Sequence, residues 1–147
     1  MLHQAGARAA AETEAAFQAT DADPSRWEVR AFLDDMPVRF AAADLVLARS
    51  GASTVAELCA AGKPSLLVPF PLAADDHQRR NAEVLVAAEA AVVVLEAELT
   101  PERLLRELQS LFEDRAQLAA MGIAARTLAR RDAAQVIADM IRALQRK

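Results

Sequence analysis

Asp44-Leu45-Val46-Leu47-Ala48-Arg49-Ser50-Gly51-Ala52-Ser53-Thr54-Val55-Ala56-Glu57 joins a short apolar run to a helical pattern through two small residues. The run 45–48 has the length and bounding of a buried strand. The pattern breaks at Ser50-Gly51 and resumes with Val55, Leu58 and Cys59 on one helical face. A strand, a tight turn and a helix start together present unpaired N–H groups at the positive end of a helix dipole, an arrangement suited to phosphate. Gly51 lets the backbone approach a ligand because it carries no Cβ. Ala52, Ser53 and Thr54 supply N–H donors, with two hydroxyls in reserve. The same residues also make an ordinary strand-to-helix turn, and this feature alone favours that plainer reading.

Outward from that turn, strands and helices alternate. Gly62-Lys63-Pro64 ends the central helix with Gly first and Pro after. Residues 65–70 read as a second apolar strand, 71–76 as a loop, 77–89 as a helix and 91–95 as a β-branched strand. Thr100 is an N-cap with Pro101 at the first helical position, and Leu104, Leu105, Leu108, Leu111 and Phe112 line one face of that helix. Two more helices are predicted, near 115–121 and 132–144, the last with Val136, Ile137, Met140, Ile141 and Leu144 at helical spacing. On the other side, 27–33 alternates as a strand, Asp34-Asp35 ends it and caps a short helix over 36–43, and 7–17 reads as a helix. Met1-Leu2 looks like a strand that has lost its first half. The alternation predicts parallel βαβ units and an α/β fold. In such sheets a ligand sits beyond the C-terminal strand ends, here Leu33-Asp34, Arg49-Ser50-Gly51 and Phe70-Pro71.

Composition narrows the function classes. The chain has 147 residues, enough for one core, and 54% of them are apolar, which excludes a disordered chain. A net charge of −4 argues against a general nucleic-acid binder, which needs a basic face. Arg126, Arg130, Arg131, Arg142, Arg146 and Lys147 gather near the end and read as a solvated helix surface. The single Cys59 excludes an internal disulfide and reads as core. No run of roughly 18 apolar residues is present, so no membrane-spanning helix is predicted. Residues 1–6 lack the pattern of a secretory leader, which makes the cytoplasm the expected compartment.

Two further groups of residues carry candidate chemistry. Glu57 has two readings. With Thr54 as N-cap it completes a capping box; with an earlier helix start it lies in the second turn, facing the ligand side, where it accepts hydrogen bonds from a ribose diol. Asp75 or Asp76 is the expected N-cap of the next helix, which puts His77 and Gln78 in its first turn with donors and acceptors for sugar hydroxyls. An exposed polar helix start is the equal alternative. His3 and His77 are the only histidines, so a histidine metal site is not expected. No nucleophilic triad, paired carboxylates or phosphate-binding lysine motif stands out.

Four blocks in order, His3-Gln4-Ala5-Gly6, Phe32-Leu33-Asp34-Asp35-Met36, the 43–57 stretch with Val68-Pro69-Phe70, and Asp75-Asp76-His77-Gln78-Arg79-Arg80-Asn81-Ala82, resemble the C-terminal half of the MurG-type N-acetylglucosaminyltransferases of glycosyltransferase family 28. The resemblance implies a GT-B enzyme whose Rossmann-like C-terminal domain holds UDP-GlcNAc as substrate, with no cofactor and no metal. Residues 1–147 are then one UDP-sugar-binding domain, with its last helices over 101–147. By the same resemblance Leu33 meets uracil through its backbone and the turn Gly51-Ala52-Ser53-Thr54 holds the diphosphate. Val55 and Ala56 continue that contact run, Glu57 takes the ribose hydroxyls, and His77 and Gln78 take the GlcNAc hydroxyls. The implied reaction transfers GlcNAc with inversion to the muramoyl C4 hydroxyl of lipid I, giving lipid II for peptidoglycan. The acceptor site and base belong to an N-terminal half, so no catalytic residue is expected in this chain.

That family's first C-terminal-domain strand and its Gly-Gly-Ser-Gln-Gly loop are not found in the sequence. With a strand order 3-2-1-4-5-6, the expectation is a truncated domain with exposed strand edges, inactive alone and in need of a complementary chain. Membrane contact, at the inner face of the cell membrane, is expected only through the full enzyme. The alternatives are one subunit of a two-chain transferase and a non-catalytic UDP-sugar-binding module.

Overall fold

The structure, a computed structural model, describes residues 1–145; Arg146 and Lys147 of the basic cluster lie outside the described residues. The chain divides into two compact units, Met1–Arg39 and Phe40–Lys147. Helix α2 (Met36–Ala42) runs across the division.

In the first unit, β1 (Leu2–Gln4), α1 (Ala10–Gln18) and β2 (Glu28–Arg30) form a parallel crossover with Leu2 opposite Glu28 and Gln4 opposite Arg30. Its apolar centre is a row of rings: Phe17 stacks on Trp27 at 5.2 Å, and His3 meets Phe17 edge-on at 6.3 Å. No residue of this unit is fully buried, although the Trp27 indole N–H lies out of solvent with no partner. β2 is shorter than the expected 27–33. Asp35 does not cap α2 through its side chain as expected; its carboxylate pairs with Arg39 Nε at 2.9 Å, which holds the Asp35 carboxyl below its ordinary pKa.

In the second unit, β3 (Val46–Ala48), β4 (Ser65–Leu67) and β5 (Ala91–Val93) form a parallel sheet in the order β3-β4-β5. The central strand β4 is buried at every residue, as a parallel strand covered on both faces must be. Pro69, which has no N–H, follows the last ladder bond from Val68 N to Ala48 O, so the strand is shorter than the expected 65–70. Helices α3 (Ala52–Ala61), α4 (His77–Ala87), α5 (Pro101–Glu113), α6 (Arg115–Thr127) and α7 (Ala133–Gln145) complete the unit. The core joins Leu66, Val68 and Val94 to Leu111, Leu118 and Met121, with Leu45, Val92, Leu104 and Leu108 packed against it. Each fully buried leucine contributes about 2 kcal/mol. The expected α5 face is divided: Leu111 is buried, whereas Leu105 and Phe112 are exposed, with the Arg115 guanidinium 5.6 Å over the Phe112 ring. The apolar stripe expected on the last helix exists, but Val136, Ile137, Met140, Ile141 and Leu144 are all exposed.

Among the described residues β1 pairs only with β2 and β3 only with β4. Leu47 on β3 is about half exposed. No helix among the described residues is long and apolar enough to cross a membrane. Cys59 is buried, and burial pushes its thiol pKa up, which makes it an inert core residue.

Helix ends follow local chemistry. Gly62 takes the left-handed conformation (φ 63°) and, with Lys63, returns N–H bonds to Cys59 O and Leu58 O. Thr100 Oγ1 accepts from Arg103 N–H at 3.1 Å, with Pro101 at the first position, as read from the sequence. The end of α4 uses the same turn as Gly62, but with Glu89 at φ 57° and an exposed side chain. A Cβ in this conformation costs about 1 kcal/mol. Glu89→Gly is therefore expected to raise unfolding stability by about 1 kcal/mol, read as a higher urea midpoint at unchanged slope.

Candidate phosphate-binding turn and its neighbours

Helix α3 begins at Ala52, with Gly51 (φ −60°, ψ 150°) as its N-cap. The first helical bond runs from Val55 N to Gly51 O. The N–H groups of Ala52, Ser53 and Thr54 therefore have no partner within the described residues, and no side chain caps them. Three amide donors and the positive end of a ten-residue helix converge after the C-terminal end of β3.

This start rules out the capping box, because Thr54 is the third helical residue rather than the N-cap. Glu57 is the sixth residue of α3, exposed and without an ion pair among the described residues. It shares a face with Ser53 and Thr54 at i+4 and i+3, and helical side chains lean toward the N-terminus. That geometry leans the Glu57 side chain toward the start of α3. Val55 and Ala56 lie past those amides, and the Val55 N–H is already engaged by Gly51.

The turn is held from the far side by α4. Ser50 is fully buried. Its hydroxyl donates to Gln78 O at 2.8 Å, and its carbonyl accepts from Asn81 Nδ2 at 3.0 Å. Gln78 Oε1 accepts from Phe70 N–H at 3.0 Å, just past the end of β4. Arg49 Nη1 donates to Val68 O and Pro69 O, both at 3.2 Å, and pairs with Glu96. Its guanidinium lies 5.6 Å from the Phe70 ring. Ser50, Asn81 and Arg49 were not read as site residues from the sequence. Their partners are backbone atoms 19 to 31 residues away, which no local pattern reveals.

The approach to α4 is strained. Asp75 and Asp76 both have positive φ (49° and 55°), a region that costs any residue with a Cβ. Asp76 is the N-cap by position, but neither carboxylate caps the helix. His77 is exposed, and its Nδ1 lies 2.6 Å from Ala74 O. Leu33 belongs to the first unit, where its N–H donates to Gln4 Oε1 at 3.0 Å.

A cavity of ≈ 660 Å³ lies elsewhere, lined by Asp44, Lys63, Pro64, Arg115 and Arg126 among others, before β3 and β4 rather than after them. Two of its cations serve helix ends: Lys63 Nζ donates to Ala41 O and Ala43 O, and Arg126 Nη2 to Ala61 O, while Arg115 pairs with Asp44. Arg126 and Arg131, expected as solvated surface, thus reach the last carbonyls of α3. Among the described residues no three His, Cys, Asp or Glu side chains group to hold a metal ion.

Residues 1–137 match the glycosyltransferase family 28 C-terminal domain. The chain is 52% identical over 139 residues to the UDP-N-acetylglucosamine--N-acetylmuramyl-(pentapeptide) pyrophosphoryl-undecaprenol N-acetylglucosamine transferase of Xanthomonas axonopodis pv. citri, covering 95% of this chain and 32% of that protein. The enzyme of the same name from Geobacter sp. (strain M21) is 47% identical over 93% of this chain and 36% of its own length. The chain thus spans about a third of the length of these curated relatives. Among solved structures it superposes on Acinetobacter baumannii MurG with a TM-score of 0.85 and 36% identity, over 96% of this chain and 40% of that one. The glycosyltransferase VinC, at 21% identity and a TM-score of 0.69 over 93% of this chain and 33% of its own, shares the fold. The α/β reading with parallel strands and flanking helices stands.

Nothing in the fold requires glycine at position 51. Its φ is ordinary, and an added Cβ would meet only Thr54 Oγ1, at 3.9 Å. Gly51→Asp places a carboxylate where it accepts from the free amides, as N-cap residues do. The expected outcome is a stability gain of about 0.3 kcal/mol in a urea melt. UDP affinity, measured by calorimetry, is expected to fall on the order of a hundredfold, since the amides are taken and like charges repel.

Proposed function

The chain belongs to glycosyltransferase family 28 through its C-terminal domain, and on that premise we propose that it is the donor-binding part of an inverting N-acetylglucosaminyltransferase. The substrate is UDP-GlcNAc, and the acceptor is lipid I, the lipid-linked muramoyl pentapeptide named in the relatives' activity. The product is lipid II, for peptidoglycan. The observation that carries this reading is the set of three unpartnered amides at Ala52, Ser53 and Thr54, behind a glycine the fold does not need.

The chemistry asks little of this part beyond orientation and charge. The acceptor hydroxyl attacks the anomeric carbon from the face opposite UDP. The bond from that carbon to the diphosphate oxygen breaks, and its electron pair leaves with UDP. The three amides and the α3 dipole meet the negative charge that grows on the departing diphosphate, so they bind the transition state better than the ground state. Glu57 accepts from both ribose hydroxyls, and His77 and Gln78 orient the sugar. No metal or cofactor enters this scheme, because the helix end takes the charge. The base that deprotonates the acceptor belongs to an N-terminal partner half, which also carries the lipid site. The complete enzyme works at the cytoplasmic face of the cell membrane, where a soluble nucleotide sugar and a polyprenyl acceptor meet.

Calorimetric titration of UDP-GlcNAc into the chain, alone and with the N-terminal part of the Xanthomonas relative supplied, tests the proposal. Binding in both cases with turnover of lipid I only in the second is the expected result. Binding in both with turnover in neither supports the UDP-sugar-binding module instead. Failure to bind in either contradicts a donor site.

A further inference from the structure

Gly51 has an ordinary conformation (φ −60°, ψ 150°), and a Cβ there would meet only Thr54 Oγ1. The consequence of a glycine lies instead in how freely the Ser50–Gly51 peptide turns. A peptide unit is planar, and in the trans form its C=O and N–H point opposite ways. No peptide among the described residues is cis. Asn81 Nδ2 donates to Ser50 O at 3.0 Å, so the carbonyl of this unit points at α4. The Gly51 N–H therefore points away from α4, and it has no partner among the described residues. The bond from Asn81 is the one hold on either end of the plane. The Ser50 hydroxyl, tied to Gln78 O, belongs to the side chain and leaves the plane free. Turning the plane over changes ψ of Ser50 and φ of Gly51 together, as between two turn types. Gly51 then has positive φ with ψ still at 150°, a region open in practice to glycine alone.

We propose that Asn81 is a positioning residue, which holds the Ser50–Gly51 peptide with its N–H and not its carbonyl on the side away from α4. Glycine at position 51 is what makes the hold necessary. This rests on the donor-site reading and adds to it a second orientation of the turn. In the held orientation the Gly51 N–H joins those of Ala52, Ser53 and Thr54 as donors without partners at the start of α3. In the turned orientation the Ser50 oxygen replaces that N–H, and its negative end opposes an anion there. UDP selects the held state, so the apparent affinity falls with the fraction of chains in which the plane is held.

Asn81→Ala removes the hold, and Gly51→Ala closes the turned state with a methyl group. The full chain is titrated with UDP in four forms: unaltered, each single variant, and the two changes together. The expected result is that Asn81→Ala costs about tenfold in UDP affinity when residue 51 is glycine and less than about twofold when it is alanine. Equal losses in the two backgrounds mean that Asn81 is only structural, and they overturn the proposal. Nitrogen relaxation dispersion on the ligand-free chain gives a second reading that needs no UDP, and it decides alone where Gly51→Ala by itself prevents binding. Exchange at the residue 51 amide is expected in Asn81→Ala and is expected to vanish in the double variant. Exchange that persists there, or none in Asn81→Ala, overturns the proposal and leaves the donor site standing. Absence of UDP binding by the unaltered chain overturns the donor site itself, and with it the role given to Asn81.

Discussion

Ser50 is a polar residue with no solvent exposure, placed where β3 hands over to α3. A buried hydroxyl and a buried carbonyl each need a partner, and leaving either unmet costs about 1–3 kcal/mol. Both partners come from α4: the hydroxyl donates to Gln78 O, and the carbonyl accepts from Asn81. The turn that exposes three amides is therefore bolted to the helix that begins with His77 and Gln78. Arg49 extends the same hold to the strand end at Val68 and Pro69. A site made of backbone donors works only if the backbone stays still, and here two bonds 28 and 31 residues apart in sequence keep it still.

Around that lock two helix starts are left open. Helix ends at Gly62, Thr100 and Asp114 are closed by backbone or side-chain bonds. The start of α3 has no side-chain cap, and α4 is entered through two left-handed aspartates whose carboxylates cap nothing. Both departures cost local stability, and both lie at the C-terminal edge of one sheet. In the cavity at the opposite edge, Lys63 and Arg126 are spent on backbone carbonyls.

The sequence was a good guide wherever the information was local. Short apolar runs bounded by Gly and Pro gave the strands of the parallel sheet, and Thr100-Pro101 gave the start of α5 at the residue. The capping-box reading of Glu57 turned on the residue at which α3 begins, and Gly51 as N-cap removes it. The helix expected near 115–121 continues to Thr127, through Gly122, where a Cβ would come within 2.8 Å of Gly62 O. The outward turn of Leu105 and Phe112 was equally hidden, since spacing places residues on a face without saying how wide the buried part is. Ser50, Asn81 and Arg49 were missed because their meaning lies in distant carbonyls.

The central claim is that a diphosphate rests on the amides of Ala52, Ser53 and Thr54. The most direct measurement follows the backbone N–H signals of the chain during a titration with UDP. The account predicts that these three amides shift together, move downfield as they begin to donate, and become the most protected against hydrogen exchange at saturation. UDP binding that leaves all three unshifted, with the changes gathered elsewhere, would contradict it.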